Sequence, residues 1–141
     1  MTTKMKMKFF YVSAIILCLT ACNHGPIKIK AKNIEKIELI EIEHHYANES
    51  LDISELDNNL VSPFIKDLTN ATPISSRRIF TCHELCIHYK DGTQERFITN
   101  GKFMERIKDK TKFSLDMETN LITKYWGISE RDFCIKQGHK D

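Results

Sequence analysis

The segment from Thr81 to Tyr89, TCHELCIHY, concentrates the side chains that could do chemistry. It holds Cys82, His83, Cys86 and His88, and thiolates together with imidazoles suit Zn²⁺ or Cu⁺. If the segment is one continuous strand, however, His83 points away from the other three side chains. The two cysteines then lie about 13 Å apart, so they can neither bridge each other nor share a metal.

The same segment fits a disulfide if the chain reverses within it. The apolar phase breaks between Phe80 and Leu85, which favours a tight turn at residues 83 and 84. Such a turn would bring the Cα atoms of Cys82 and Cys86 within the roughly 4.4 to 6.8 Å that a disulfide needs. We therefore expect a disulfide between Cys82 and Cys86. The alternatives are a bridge from either cysteine to Cys134, reduced thiols, or a metal site.

Sequence motifs of common enzymes are missing from the chain. It has no G-x-S-x-G elbow, no H-E-x-x-H, no phosphate loop and no C-G-x-C. One cysteine of TCHELCIHY with one of its histidines could form a nucleophile and base, but an exposed thiol would need protection from oxidation. We assign no catalytic residue, no cofactor and no resident metal, and expect a protein that is not an enzyme.

The N-terminus has a basic region followed by a short apolar core. Lys4, Lys6 and Lys8 precede an uncharged run of eleven residues from Phe9 to Leu19. A membrane-spanning helix needs roughly 20 apolar residues, whereas a signal-peptide core needs about 7 to 15. The pattern therefore predicts a cleaved signal peptide over residues 1–21.

The apolar run ends on Leu19-Thr20-Ala21-Cys22, which resembles the lipobox of bacterial lipoproteins. The resemblance implies cleavage between Ala21 and Cys22 and attachment of lipid, including acyl chains such as palmitate, to the Cys22 sulfur. Two acyl chains anchor a protein stably, at roughly 0.8 kcal/mol per buried CH₂. Cleavage after Ala21 by the general signal peptidase, leaving a free thiol, is the alternative.

The residue after the proposed anchor bears on the location. By the same resemblance, Asp at this position retains a lipoprotein at the inner membrane of enteric-type bacteria, and Asn23 is not Asp. We therefore expect the outer membrane, facing the periplasm, with a Gram-positive cell surface as the other possibility.

Length and charge narrow the class of protein. Removal of residues 1–21 leaves 120 of the 141 residues, enough for one domain, and changes the formal charge from +2 to −1. Nothing in this charge suggests a nucleic-acid partner. From residue 35 to 67, nine acidic residues stand against two lysines, and from 77 to 112, nine basic residues stand against five acidic ones. These segments either pack side by side or offer a charged face to a partner.

The first elements are predicted from apolar periodicity. Residues 22–33, with Gly25-Pro26, form a lipidated tether, and the domain spans 34–141. Residues 34–46 alternate apolar with acidic side chains, which predicts a strand with a bulge between Leu39 and Ile40; a helix is the alternative. A short helix is expected within residues 47–60.

The remaining elements follow from caps and turns. A second helix begins at Ser62-Pro63 and buries Phe64, Ile65 and Leu68, and residues 70–76 form a loop. Strands dominate from Arg77 onward, over 79–82 and 85–90, with turns at Asp91-Gly92 and Asn100-Gly101. Residues 102–115 are ambiguous between helix and strand. A last helix is capped by Thr119, presents Leu121, Ile122, Tyr125 and Trp126, and is stopped by Gly127.

This order predicts an α+β fold, a small antiparallel sheet with two or three helices on one face, after a cleaved signal peptide and tether. We expect the protein to be a small lipid-anchored lipoprotein of the cell envelope. Its expected role is that of a non-enzymatic protein-binding module of accessory, inhibitor or immunity type, with another envelope protein as partner. The alternative is an envelope metal-binding protein that uses Cys82, Cys86, His83 and His88.

Overall fold

The computed structural model describes residues 26–42, 52–75 and 78–133. The predicted signal peptide, Ala21, Cys22 and Cys134 lie outside these residues. The described chain forms seven strands: β1 (Ile34–Glu41), β2 (Ile53–Glu55), β3 (Thr72–Ile74), β4 (His83–Tyr89), β5 (Gln94–Thr99), β6 (Phe103–Arg106) and β7 (Lys112–Ser114). It also forms two helices, α1 (Val61–Thr69) and α2 (Leu121–Trp126), and short 3₁₀ turns at Ala31–Asn33, Asn58–Leu60 and Glu130–Asp132.

All seven strands join one antiparallel sheet in the order β2-β1-β4-β5-β6-β7-β3. The three-residue strands β2 and β3 flank helix α1 in the sequence but lie at opposite edges of the sheet. The predicted antiparallel sheet is therefore confirmed. The described part is mostly sheet, and of its two helices α2 has only six residues, so the predicted layer of two or three helices is not confirmed.

One face of the sheet carries the core. Because side chains alternate along a strand, the register brings one set of apolar residues to this face. It comprises Ile37, Leu85, Ile87, Phe97, Met104 and Phe113, all with no exposed surface. Helices α1 and α2 cover it with Phe64, Leu68, Leu121 and Tyr125. The Phe64 ring meets Tyr125 edge-on at 5.1 Å and thereby joins the two helices.

Strand β1 starts where the alternation of apolar and acidic residues predicts, at Ile34, and ends at Glu41. Its irregularity falls between Ile34 and Lys36 rather than between Leu39 and Ile40. The predicted bulge is misplaced because Ile40 needs no shift of register. It simply points to the outer face, where it lies opposite Ile53 of β2.

Two predictions near the edge strands are wrong for the described residues. The helix expected within residues 47–60 is replaced at Ile53–Glu55 by strand β2, because the free edge of β1 offers backbone partners; Leu56 N donates to Ile37 O at 2.8 Å. The loop expected over residues 70–76 contains strand β3. An edge strand tolerates Pro73, which lacks an N–H, because one side of the strand needs no partner.

The helix faces are confirmed, whereas the predicted caps are displaced, by two residues for α1 and by one for α2. Phe64, Ile65 and Leu68 are the buried residues of α1, but the helix begins at Val61, so Ser62 is not its cap. Asn120, rather than Thr119, caps α2 by accepting from Ile122 N at 2.9 Å.

The segment before β1 belongs to the domain. Ile27 and Ile29 are only 4% and 8% exposed and pack in the core. The tether expected over residues 22–33 therefore ends earlier than predicted, and the domain includes Ile27 and Ile29. Burial of these two side chains removes apolar surface from water and so stabilises the fold. Within the described ranges, no helix is both long and apolar enough to span a membrane.

Candidate functional site

Strand β4 holds the cysteine and histidine segment in one unbroken conformation from His83 to Tyr89. It pairs with β1 on one side and β5 on the other along its whole length. Two complete ladders leave no room for a reversal, so the predicted turn at His83 and Glu84 and the predicted strand over 79–82 are both wrong. His83 faces the core, and Cys86 and His88 face outward.

Cys86 is a free thiol buried on the outer face of the sheet, 3% exposed. Its direct neighbours across the ladders are Glu38 of β1 and Arg96 of β5. Its Sγ donates to Gln94 Oε1 at 3.3 Å. Burial raises the pKa of this thiol; the neighbouring Arg96 partly offsets that rise, and Glu38 adds a smaller rise. A protonated, covered thiol is a poor nucleophile, so Cys86 does not suit thiol catalysis.

Cys82 lies directly before β4 in a different environment. It is 2% exposed, is disulfide-bonded, and its Sγ lies 3.7 Å from His83 Nδ1. Because Cys86 is free, the disulfide expected between Cys82 and Cys86 is not formed. The continuous strand gives the physical reason, since it holds the two residues far apart along its axis.

His83 is 4% exposed, and its ring packs edge-on against Phe133 at 5.2 Å. Burial lowers its pKa, because the charged imidazolium is disfavoured there. Within the described ranges, no three His, Cys, Asp or Glu side chains are grouped so that they could hold a metal ion. Cys82, His83, Cys86 and His88 therefore do not converge on one point.

The outer face instead carries a network of charged pairs around Cys86. Glu38 contacts both His88 and Lys36, the latter at 3.5 Å, and Glu84 contacts Arg96. These side chains cover the thiol. They are partly exposed, and such pairs typically add about 0 to 1 kcal/mol each.

At the β2 edge the outer face carries four side chains that we call the β1–β2 patch: Glu38, Ile40, Ile53 and Glu55. Ile53 lies opposite Ile40 and is 54% exposed, and Glu55 lies directly opposite Glu38. Like charges in this position are destabilising in an antiparallel sheet. The patch thus combines an exposed apolar side chain with two carboxylates that repel each other.

Further carboxylates near this edge are not neutralised. Within the described residues, Glu35, Glu41, Glu55 and Asp57 form no ion pair. The acidic and basic segments of the sequence meet where β1 lies beside β4, and there the His88 ring contacts the Glu38 carboxylate. The β6–β7 hairpin, which holds much of the positive charge, lies three and four strands away from β1.

A second polar cluster joins the helices. Asp67 of α1 accepts from Tyr125 Oη and from Lys124 Nζ, the latter at 2.8 Å. Although burial acts in the opposite direction, these hydrogen bonds hold the pKa of Asp67 below its usual value. An open cleft of about 340 Å³ beside it is lined by further acidic side chains, Asp116 and Glu118. The cluster connects two helices and is therefore explained by packing.

Sequence reasoning missed the β1–β2 patch because it assigned Ile53 to a helix. The strand alternation that places Glu38 and Ile40 outward was visible, but the identity of their neighbours depends on which strand pairs with β1. Comparisons with protein-family models, with curated proteins and with solved structures found no significant match.

Proposed function

We propose that the protein is a non-enzymatic lipoprotein of the bacterial cell envelope, anchored through lipid on Cys22, whose domain binds another envelope protein. The sequence Leu19-Thr20-Ala21-Cys22 supports the anchor. A disulfide at Cys82 supports export, because disulfides persist in oxidising compartments and are rare in the cytosol. The outer membrane, facing the periplasm, is the proposed location, and accessory, inhibitor or immunity type is the proposed role.

The β1–β2 patch is the observation that carries the binding function. A partner that covers Ile53 removes apolar surface from water, worth roughly 25 cal/mol per Å². A basic group on that partner would relieve the repulsion between Glu38 and Glu55. The patch therefore suits a protein surface with an apolar centre and flanking Lys or Arg.

The test is affinity capture with the full-length protein, extracted from its native membrane in detergent without reductant. Intact mass should show a species that starts at Cys22 and carries lipid. Chemical crosslinking before extraction should give one specific protein adduct, and its yield should fall as the ionic strength rises, because charge contributes to the contact.

A double variant locates the contact. Ile53→Ser with Glu55→Lys should abolish the adduct, whereas Ile107→Ser with Lys108→Glu should keep it. The control pair changes another exposed isoleucine, 36% against 54% for Ile53, and reverses one charge at the β6–β7 turn. Equal adduct yields from both double variants would refute binding at the patch, and an unlipidated mass would refute the anchor.

A further inference from the structure

Three lysines follow the proposed anchor on a segment that is packed against the domain. Burial alternates along it: Ile27 and Ile29 lie in the core, whereas Lys28, Lys30 and Lys32 are exposed. We call these three residues the lysine row. Because the isoleucines fix the backbone, the ammonium groups are held at the domain surface and do not swing on a free tether.

The covalent chain places the lysine row close to the anchor. Cys22 and Ile27 are five residues apart. Even a fully extended chain spans at most about 18 Å over that distance, at roughly 3.3 to 3.6 Å per residue. Lys28 is one residue further along the chain. Its Cα atom therefore lies no more than about one residue length beyond that limit from the Cα atom of the lipidated Cys22, whatever conformation the intervening residues adopt.

We propose that the lysine row faces the membrane and binds the headgroup phosphates of anionic phospholipids, an inference that rests on the proposed lipid anchor. Within the described residues, none of the three lysines forms an ion pair, so their charge is available to an external anion. Basic residues beside a lipid anchor strengthen attachment to an anionic surface, by roughly five-fold in partitioning for each lysine. The row thereby fixes which side of the domain is turned toward the bilayer.

Lysine footprinting on the lipidated full-length mature protein tests this orientation. The protein is placed in nanodiscs of phosphatidylcholine, either pure or containing phosphatidylglycerol, and treated briefly with a membrane-impermeant acetylating reagent. Lys28, Lys30 and Lys32 should react several-fold more slowly in the anionic discs. Lys108 and Lys110, exposed at the β6–β7 turn, should react equally in both.

The outcomes of these experiments distinguish headgroup binding by the lysine row from the lipid anchor at Cys22. Equal reaction of the lysine row in neutral and anionic discs would overturn headgroup binding, as would protection that survives high salt unchanged. Replacement of all three lysines by Gln should weaken attachment to anionic vesicles, whereas the same change at Lys102, Lys108 and Lys110 should not. If the intact mass shows no lipid, the anchor itself fails, and cosedimentation of the same protein with neutral and anionic vesicles then tests the lysine row alone.

Discussion

His83 and Cys86 lie three residues apart on one strand, yet the sheet gives them opposite surroundings. His83 points into the core and packs against Phe133. Cys86 points outward and lies beneath charged side chains of β1 and β5. A cluster that looks like one site in the sequence is therefore two separate environments, because neighbouring strand positions face opposite sides.

The buried imidazole predicts a pH dependence of stability. The folded-state pKa of His83 lies below the ordinary value of 6.5, because burial disfavours the cation. The unfolded state therefore binds more protons between these two values, and stability rises with pH there. The contribution of the neutral, buried His83 to stability is complete above pH 6.5 and is lost as the pH falls through its folded-state pKa. Urea unfolding from pH 4.5 to 7.5 should show this loss on the acid side.

Matched variants test whether His83 causes this change of stability with pH. His83→Phe should flatten the pH dependence, since the substitute carries no titrating group and still packs beside Phe133. His88→Gln on the outer face should leave the His83 contribution in place. A slope that persists in His83→Phe would show that other groups cause it.

The two cysteines are expected to differ in reactivity. Cys86 should resist iodoacetamide in the folded protein, because it is buried and its pKa is raised, and should react once the protein is unfolded without reductant. Cys82 should react only after reduction, because it is disulfide-bonded. Peptide mapping should place its bridge at Cys134, which directly follows Phe133, the residue that packs on His83. Labelling of Cys82 without reductant would contradict this assignment.

At the scale of elements, the β5–β6 turn and helix α2 are joined by one asparagine. Asn120 caps α2 and also donates from Nδ2 to Asn100 O at 2.9 Å. Gly101 lies directly beneath it with φ of 84°, and a Cβ there would be 1.8 Å from Asn120 Oδ1. The turn and the helix cap therefore depend on the absence of a side chain at residue 101.

Two glycine substitutions separate backbone strain from this contact. Gly92→Ala changes a residue of similar φ, 89°, with nothing near the added Cβ, and should cost about 1 to 3 kcal/mol for the left-handed conformation. Gly101→Ala should cost at least about 1 kcal/mol more, because Asn120 must also move. Thermal or urea unfolding measures both, and equal losses would show that Asn120 gives way freely.

The turn at Asn100-Gly101 and the stop at Gly127 could be predicted, since both depend on local backbone preferences. The contact between Gly101 and Asn120 could not, because the two residues are 19 positions apart and meet through tertiary packing alone. For the same reason, the sequence pattern at β2 and β3 predicts a helix and a loop. Three-residue strands have too little pattern to be recognised, and they exist because a longer strand pairs with them.

At the scale of the whole molecule, charge is distributed unevenly across the sheet. Uncompensated carboxylates gather at the β1–β2 edge, whereas the β6–β7 hairpin is rich in lysine and arginine. Stability alone does not favour this arrangement, because Glu55 opposite Glu38 is unfavourable for folding, and this agrees with the binding role that we propose for the β1–β2 patch.

Glu55→Lys distinguishes binding from folding. The change replaces a repulsive cross-strand pair with an attractive one and should raise the free energy of unfolding by about 0.2 to 1 kcal/mol. It should simultaneously weaken capture of the proposed partner. Urea unfolding and crosslinking yield measure the two effects, and a loss of stability would instead show that Glu55 serves the fold.

The sequence by itself determined the strands and helices whose apolar residues repeat with a clear period, such as β1, α1 and α2, and the expectation of a lipid anchor at Cys22. Tertiary structure decided which strands are neighbours and hence which side chains meet. It separated Cys82 from Cys86, set Glu55 opposite Glu38 and buried Ile27 and Ile29 beside three exposed lysines. Local periodicity fixes the direction of a side chain along its own strand. Its partners are fixed by pairing and packing between residues that are distant in the sequence, which periodicity does not encode.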